Sequence, residues 1–390
     1  MMRFKKALKL AGFVPGFILV SHVALALSGP TAIEIDGGPL GPLSLSGGVD
    51  GYGYVNTNIS QGAQQEGANI DEALVDLQKN TGIIRFNIAI GSTSYQTLGA
   101  VYRGTSRVPQ TTINNYRTGP LFLGYLTIAP PASPVTFSAG HLASLEGDEA
   151  TVDWYNASQL TTALFYMANS SADGVEATLT KGPVSATVEY GDGYDSGVWN
   201  VLQAIATYTF DPDNIANVYG GINLGKTGPN TFTFGGGKTG LGNGYVNSEI
   251  IGSYYNYTTG NLSLTPEVQY QYVKTDHQIG IEGPSSNFGA ALFEDYSFGT
   301  TPYSLGGWVE YYNSHTSSAS NYAFFVGPNS EVIGAAISPT WQYKDLFARV
   351  NAGYLYLLNN KGPSGTSYGY GTSGTDRGQF TGTLEAGLLF

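Results

Sequence analysis

Gly378-Gln379-Phe380-Thr381-Gly382-Thr383-Leu384-Glu385-Ala386-Gly387-Leu388-Leu389-Phe390 ends the chain. Successive side chains of a strand point to opposite faces. One face of this segment therefore carries Phe380, Gly382, Leu384, Ala386, Leu388 and Phe390, all apolar or small. The other carries Gln379, Thr381, Thr383, Glu385, Gly387 and Leu389 and is mainly polar. Such a strand suits a sheet with an apolar medium on one side and a polar space on the other.

The same alternation recurs upstream, with turns marked by Gly, Pro, Asn and Asp clusters. Strands are expected near 43–57, 82–91, 97–104, 119–128 and 135–142, and then in regular hairpins. These hairpins pair 173–181 with 183–191, 198–210 with 215–225, 245–258 with 262–275, 287–298 with 303–313, and 331–343 with 346–358. The stretch Asp71 to Lys79 reads as polar and partly helical. With 378–390 the tally is sixteen, within a range of 14–18. Short connections such as 211–214 and 259–261 alternate with long polar ones at 226–244, 276–286, 314–330 and 359–377, while 143–172 is a long insertion without alternation.

The N-terminus points to export. Arg3, Lys5, Lys6 and Lys9 precede an apolar run from Leu10 to Leu27, and Ala24-Leu25-Ala26 offers a small-residue cleavage site. Residues 1–26 are expected to be a signal peptide rather than an anchor helix, because Pro15, Gly16, Ser21 and His22 interrupt the run. Residues 27–42 form a short N-terminal segment, too small for a plug domain. After the leader 13 basic and 29 acidic residues remain, a net charge of −16. That acidity argues against nucleic-acid partners, whose phosphates would repel it. No later apolar run reaches 18 residues, so no transmembrane helix is expected. Yet only 12% of residues are charged and 13% are aromatic, against about 25% charged in soluble proteins. Strands with one face in lipid and aromatics at both interfaces explain the imbalance. With no Cys, disulfides and thiolate metal sites are excluded.

A sheet can span hydrocarbon only if every backbone N–H and C=O is paired, which requires closure without an edge. The expected fold is thus all-β: a closed transmembrane antiparallel β-barrel over residues 43–390. An even strand count places both barrel ends at the side of the short turns, the periplasmic side in such barrels. A soluble β-sandwich is the alternative, disfavoured by segments of ten to fourteen residues.

The closing strand resembles that of bacterial outer-membrane barrels, in which the terminal aromatic is read by the barrel-assembly machinery; Phe390 would have that role. Further strings carry a closer likeness. They are Leu264-Thr265-Pro266-Glu267-Val268-Gln269-Tyr270-Gln271-Tyr272, Asp295-Tyr296-Ser297-Phe298, Ser304-Leu305-Gly306-Gly307-Trp308-Val309-Glu310-Tyr311, Phe347-Ala348-Arg349-Val350, and Phe137-Ser138-Ala139-Gly140-His141. Together they resemble the OmpL-like β-barrel porins over most of the chain. His141 stands where that group usually has a basic residue, and Asn351 where a Glu is usual. The resemblance implies a general diffusion channel in a Gram-negative outer membrane and names no solute.

If the apolar faces meet lipid, the opposite faces line the bore. That rule turns Arg85, Asn87, Glu189, Glu267, Gln269, Gln271, Glu310, Arg349, Asn351 and Glu385 inward, with Arg103 near the rim. An Arg facing lipid at mid-depth costs about 2–4 kcal/mol. Sixteen strands enclose a lumen too wide for wall side chains to fill, hence the expectation of a water-filled channel for small hydrophilic solutes. The acidic majority suggests mild cation preference. The insertion, with Glu146, Asp148, Glu149, Asp153 and Trp154, is the candidate constriction loop; an ordinary external loop is the alternative. A structural or adhesive barrel whose loops bind a partner is the second functional reading. A homotrimer is plausible by analogy with general porins.

Enzymatic signals are weak. Gly365-Thr366-Ser367-Tyr368-Gly369 matches G-x-S-x-G without strand-to-helix context. Gly236-Gly237-Lys238-Thr239 is similar to a P-loop, but Phe232 occupies the place of its first Gly. His141, His277 and His315 lack metal-ligand spacing. No catalytic residue, metal or cofactor is expected.

Overall fold

The structure, a computed structural model, describes residues 27–59, 64–100, 121–168, 172–193, 196–228, 244, 246–317 and 325–390. The expected signal peptide, Arg103 and the Gly236–Thr239 string lie outside these residues. The chain opens with β1 (Ile33–Asp36), β2 (Pro42–Asn56), β3 (Glu66–Lys79), β4 (Ile84–Ser92) and the two-residue β5 (Gln96–Thr97). Next come β6 (Leu121–Ile128), β7 (Val135–Leu142), β8 (Leu160–Thr161) and one short helix, α1 (Ala163–Met167). The remaining hairpins begin with β9 (Ala172–Lys181), β10 (Val184–Asp192), β11 (Trp199–Asp211), β12 (Asn214–Asn223), β13 (Ser248–Thr259) and β14 (Leu262–Val273). They end with β15 (Ser285–Ser297), β16 (Tyr303–Thr316), β17 (Glu331–Tyr343), β18 (Leu346–Asn359) and β19 (Gly378–Leu389).

Sixteen of these strands, β2–β4, β6, β7 and β9–β19, form one antiparallel ring. It closes where β19 pairs with β2, from Thr381↔Asn56 to Leu389↔Gly48. Phe390 and Gly47 exchange backbone hydrogen bonds just beyond that register. The seven turns at one end are tight, as at 182–183 and 260–261, where Gly182 and Gly260 supply φ near +60°. Outward rows are apolar and exposed, for example Ile88, Ile251, Val268, Ile337, Val350 and Leu384. Aromatics gather beside the tight turns: Tyr208 stacks edge-on to Phe210 and Tyr296 to Phe298.

Two expectations are corrected, and they cancel in the strand count. Asp71 to Lys79 is not partly helical but belongs to β3, paired along β2 and β4. The pattern is masked by a bulge: between Val49↔Ala73 and Gly51↔Ile70, Asp50 alone faces both Asp71 and Glu72. That extra residue resets the alternation, so inward Asp71 is followed by inward Glu72. Of the expected strand near 97–104, the described residues 97–100 are not in the wall, because β4 pairs directly with β6; 101–104 lie outside the described residues. Gln96–Thr97 instead pairs in parallel with Leu160–Thr161, and Leu98 is fully buried beside Leu160 and Leu355.

The packed core lies inside the ring. One apolar cluster joins Leu98, Leu160, Leu164 and Met167 to Phe293, Trp308 and Leu355 of the wall. A second joins Val152, Trp154 and Leu27 to Leu74, Phe347 and Leu389. Wall glycines make room. A Cβ on Gly48 would stand 2.8 Å from the Trp154 ring, and one on Gly353 would stand 2.8–3.0 Å from Leu160 and Leu98. Part of the bore is therefore a packed apolar core, which the wall side chains alone could not provide.

Candidate functional site

The segment 143–168 leaves β7 and folds into the barrel, where the inner wall holds it at successive points. Asp148 donates its backbone N–H to Glu267 (3.3 Å), and its carboxylate accepts from Asn256. Trp154 Nε1 donates to the Asp50 carboxylate. Gln159 donates its N–H to Asn351 Oδ1 (3.2 Å), and Asn351 Nδ2 donates back to Gln159 Oε1 (3.2 Å). Trp308 Nε1 donates to the Leu160 carbonyl at 2.6 Å. Ala163, the first residue of α1, donates to Glu310 Oε2 at 2.8 Å, and Gln271 Nε2 reaches the Met167 carbonyl at 2.8 Å. Within the segment, Glu149 accepts from the N–H and hydroxyl of Thr162, the N-cap of α1. Glu146 packs against Gly221 of β12.

Arg349 sits at the centre of the deepest contact. It faces Glu385 directly across the β18–β19 pair. Its Nε meets Glu385 Oε2 at 2.8 Å, its Nη2 meets Asp153 Oδ2 at 2.9 Å, and Nη1 donates to the Asn156 carbonyl at 3.2 Å. All three charged side chains are fully buried. The guanidinium fork matches one carboxylate from the wall and one from the segment.

The other inward residues differ in what they touch. Tyr219 donates its hydroxyl to Glu267 (2.6 Å) and Gln269 (3.0 Å). Glu189 and Asn87 are buried, and neither has a hydrogen-bond partner for its side-chain oxygens. Arg85 folds back onto the Gly82 carbonyl at a tight turn (3.1 Å). Ser367, from the G-x-S-x-G string, bridges to Lys361 in the β18–β19 loop, away from any strand-to-helix elbow.

Charge in this space is one-sided. Among the described residues twelve Asp and Glu side chains are buried, and of Lys and Arg only Arg349 is. Burial pushes the Asp148 carboxyl up to about 6, against the lowering bond from Asn256. It holds Glu149 well above the usual carboxylate range despite the bonds from Thr162. Asp50, Asp71 and Glu72 were not singled out from the sequence. Asp50 was legible as an inward position between Val49 and Gly51, but the bulge concealed the other two. Their carboxylates bring oxygens within 4.8 Å of one another, as do those of Asp50, Asp153 and Glu385. Among the described residues, these groups of oxygens are suited to a hard cation.

Comparison with known proteins adds a family and a fold. Residues 42–390 match the family described as "Putative beta-barrel porin-2, OmpL-like". No curated protein matches the chain in sequence. Among solved structures, "Anion-selective porin from Comamonas acidovorans" aligns with TM-score 0.55 at 12% identity, covering 89% of this chain and 99% of its own. "Outer-membrane expressed OmpT of Vibrio cholerae" aligns with TM-score 0.55 at 10% identity, covering 90% and 98%. "Salmonella typhi OmpF complex with Daunomycin" aligns with TM-score 0.55 at 12% identity, covering 92% and 100%. At such identities the likeness is one of fold.

Proposed function

The chain belongs to the OmpL-like β-barrel porins of the Gram-negative outer membrane, and from that premise we propose that it passes small hydrophilic solutes with a preference for cations. The acidic interior carries this reading. Among the described residues twelve buried carboxylates face a single buried guanidinium, which is itself engaged by Glu385 and Asp153. Among the described residues a permeating anion meets no buried cation other than Arg349, whereas a cation meets carboxylates in a low-dielectric bore where charge is weakly screened.

The segment 143–168 acts as the constriction, with Glu146, Asp148, Glu149, Asp153 and Trp154 fixing its course. It packs on β14–β19 and β2 and, through Val152 and Trp154, on Ala89 of β4 and Phe122 and Leu123 of β6. The path therefore follows the polar residues that remain on the wall from β4 to β10. That wall carries a polar row in which Thr127 bonds Ser138 (2.9 Å), Ser138 bonds Glu176 (3.3 Å) and Thr178 bonds Thr187 (2.9 Å). Asn87 and the unpartnered Glu189 lie on the same wall. Unpaired buried polar atoms are where water and hydrated ions substitute for protein partners. Arg85, at the tight-turn end of this wall, would flank the path. The Glu176→Gln/Glu189→Gln double variant tests the reading: its reversal potential in a salt gradient should move toward zero. A potential equal to that of the unchanged protein would remove these residues from the path. By analogy with general porins the barrels assemble as trimers, which chemical cross-linking in detergent would reveal.

A further inference from the structure

We propose that Asp50, Asp71 and Glu72 form a binding site for a calcium-sized divalent cation, which fastens the inserted segment to the seam where the barrel closes. The backbone makes the site. Consecutive strand residues normally point to opposite faces, yet Asp71 and Glu72 are both buried, at 2% and 0% exposure. The bulge turns both inward, opposite the single residue Asp50. Bulges recur beside functional sites because they re-aim a side chain in this way.

One oxygen from each of the three carboxylates lies within 4.8 Å of the others. That proximity lets one ion touch all three, since oxygens bound to Ca²⁺ at 2.3–2.6 Å stand up to roughly 4.6–5.2 Å apart. A group of flexible carboxylates is also better suited to calcium than to the strict octahedron of magnesium.

A second observation points to a ligand. Glu72 is fully buried, and its Oε2 has no hydrogen-bond partner. A buried carboxylate oxygen left unpaired is strongly disfavoured. The guanidinium of Arg349 does not supply the missing partner, since its bonds go to Glu385, Asp153 and the Asn156 carbonyl. The neighbouring oxygens are already oriented. Ser94 and Gln159 donate to Asp71, while the Glu72 N–H (2.7 Å) and Trp154 donate to Asp50. Each such oxygen keeps a lone pair for a cation, and outer partners of this kind fix ligand geometry.

The site also touches the segment. Asp153 donates its N–H to Glu72 Oε1 (3.4 Å), and Trp154 bonds Asp50. An ion on these carboxylates would thus brace the deepest part of the segment. This inference does not depend on which solutes the channel passes.

Terbium, a luminescent substitute for calcium, tests it on the folded protein in detergent. Trp154 lies beside Asp50 and serves as the energy donor. Excitation of tryptophan should give saturable Tb³⁺ emission, displaced by Ca²⁺ at lower concentration than by Mg²⁺, with matching Ca²⁺ binding heat in calorimetry. Glu72→Gln should weaken Ca²⁺ binding by about tenfold or more. Asp71→Asn serves the same purpose if Glu72→Gln fails to give the heat-modifiable gel band of a folded barrel. Absence of both saturable emission and Ca²⁺ heat in the unchanged protein would overturn the proposal. So would a folded Glu72→Gln variant that binds Ca²⁺ as the unchanged protein does.

Discussion

Replacing Arg349 by Met should release the inserted segment while leaving the sixteen-stranded wall closed. The substitution removes the 2.9 Å bond to Asp153, the 3.2 Å bond to the Asn156 carbonyl and the paired contact with Glu385. It leaves two buried carboxylates facing each other without a cation. Removing one partner of a fully buried ion pair costs about 3–5 kcal/mol. The wall loses no backbone hydrogen bond, so the cost falls mainly on docking of residues 143–168. At about 1.4 kcal/mol per factor of ten, the undocked population rises roughly a hundred- to several-thousand-fold. Chymotrypsin reads that population directly, because Trp154, Tyr155, Phe165 and Tyr166 lie in the segment and cleavage tracks the open fraction when opening is fast. Cleavage mapped to these residues by mass spectrometry should accelerate accordingly, and single-channel conductance should rise with it. Arg349→Lys keeps a charge but loses the planar fork, so its cleavage rate should fall between the two. A folded Arg349→Met barrel with unchanged cleavage and conductance would refute the role given to the guanidinium.

Acid should close the channel. The Asp148 carboxyl is held up to about 6 when docked against an ordinary value of 3.8, so docking is fully favoured below 3.8 and that contribution is lost as pH rises through about 6. Conductance at constant salt should therefore increase across this window, and Asp148→Asn should flatten the change. Leu384→Arg places a charge on the lipid face at a position 62% exposed; it should lower the stability of the barrel in bilayers by about 2–4 kcal/mol, read as a shift in the urea midpoint. Deleting Phe390 removes its paired bonds with Gly47 and, if the resemblance to other outer-membrane barrels extends to assembly, the terminal aromatic that the machinery would read. Folded barrel recovered from the outer membrane should drop, while refolding from urea into detergent should be affected less.

Much of the fold was legible because lipid and bore impose opposite demands on the two faces of each strand. From β9 onward the hairpins follow that rule, and strand bounds such as 346–358 fall within a residue of β18. The rule weakens where another demand intervenes. The bulge beside Asp50 broke the alternation of β3, whose Glu72-Ala73-Leu74 run has the composition of a helix. Leu98, in the expected strand near 97–104, is buried against Leu160 inside the ring. One strand was thus missed and one invented, which left the count of sixteen intact, so parity could not reveal either error. The course of the segment was not legible, since it is fixed by partners nearly two hundred residues away, as in Arg349 with Asp153 and Asn351 with Gln159.

Single-channel recording in a planar bilayer under a salt gradient tests the functional reading most directly. A cation-preferring channel gives discrete conductance steps and a zero-current potential of the sign set by the permeant cation. A potential of the opposite sign, or a folded barrel that shows no steps at any pH, would contradict it.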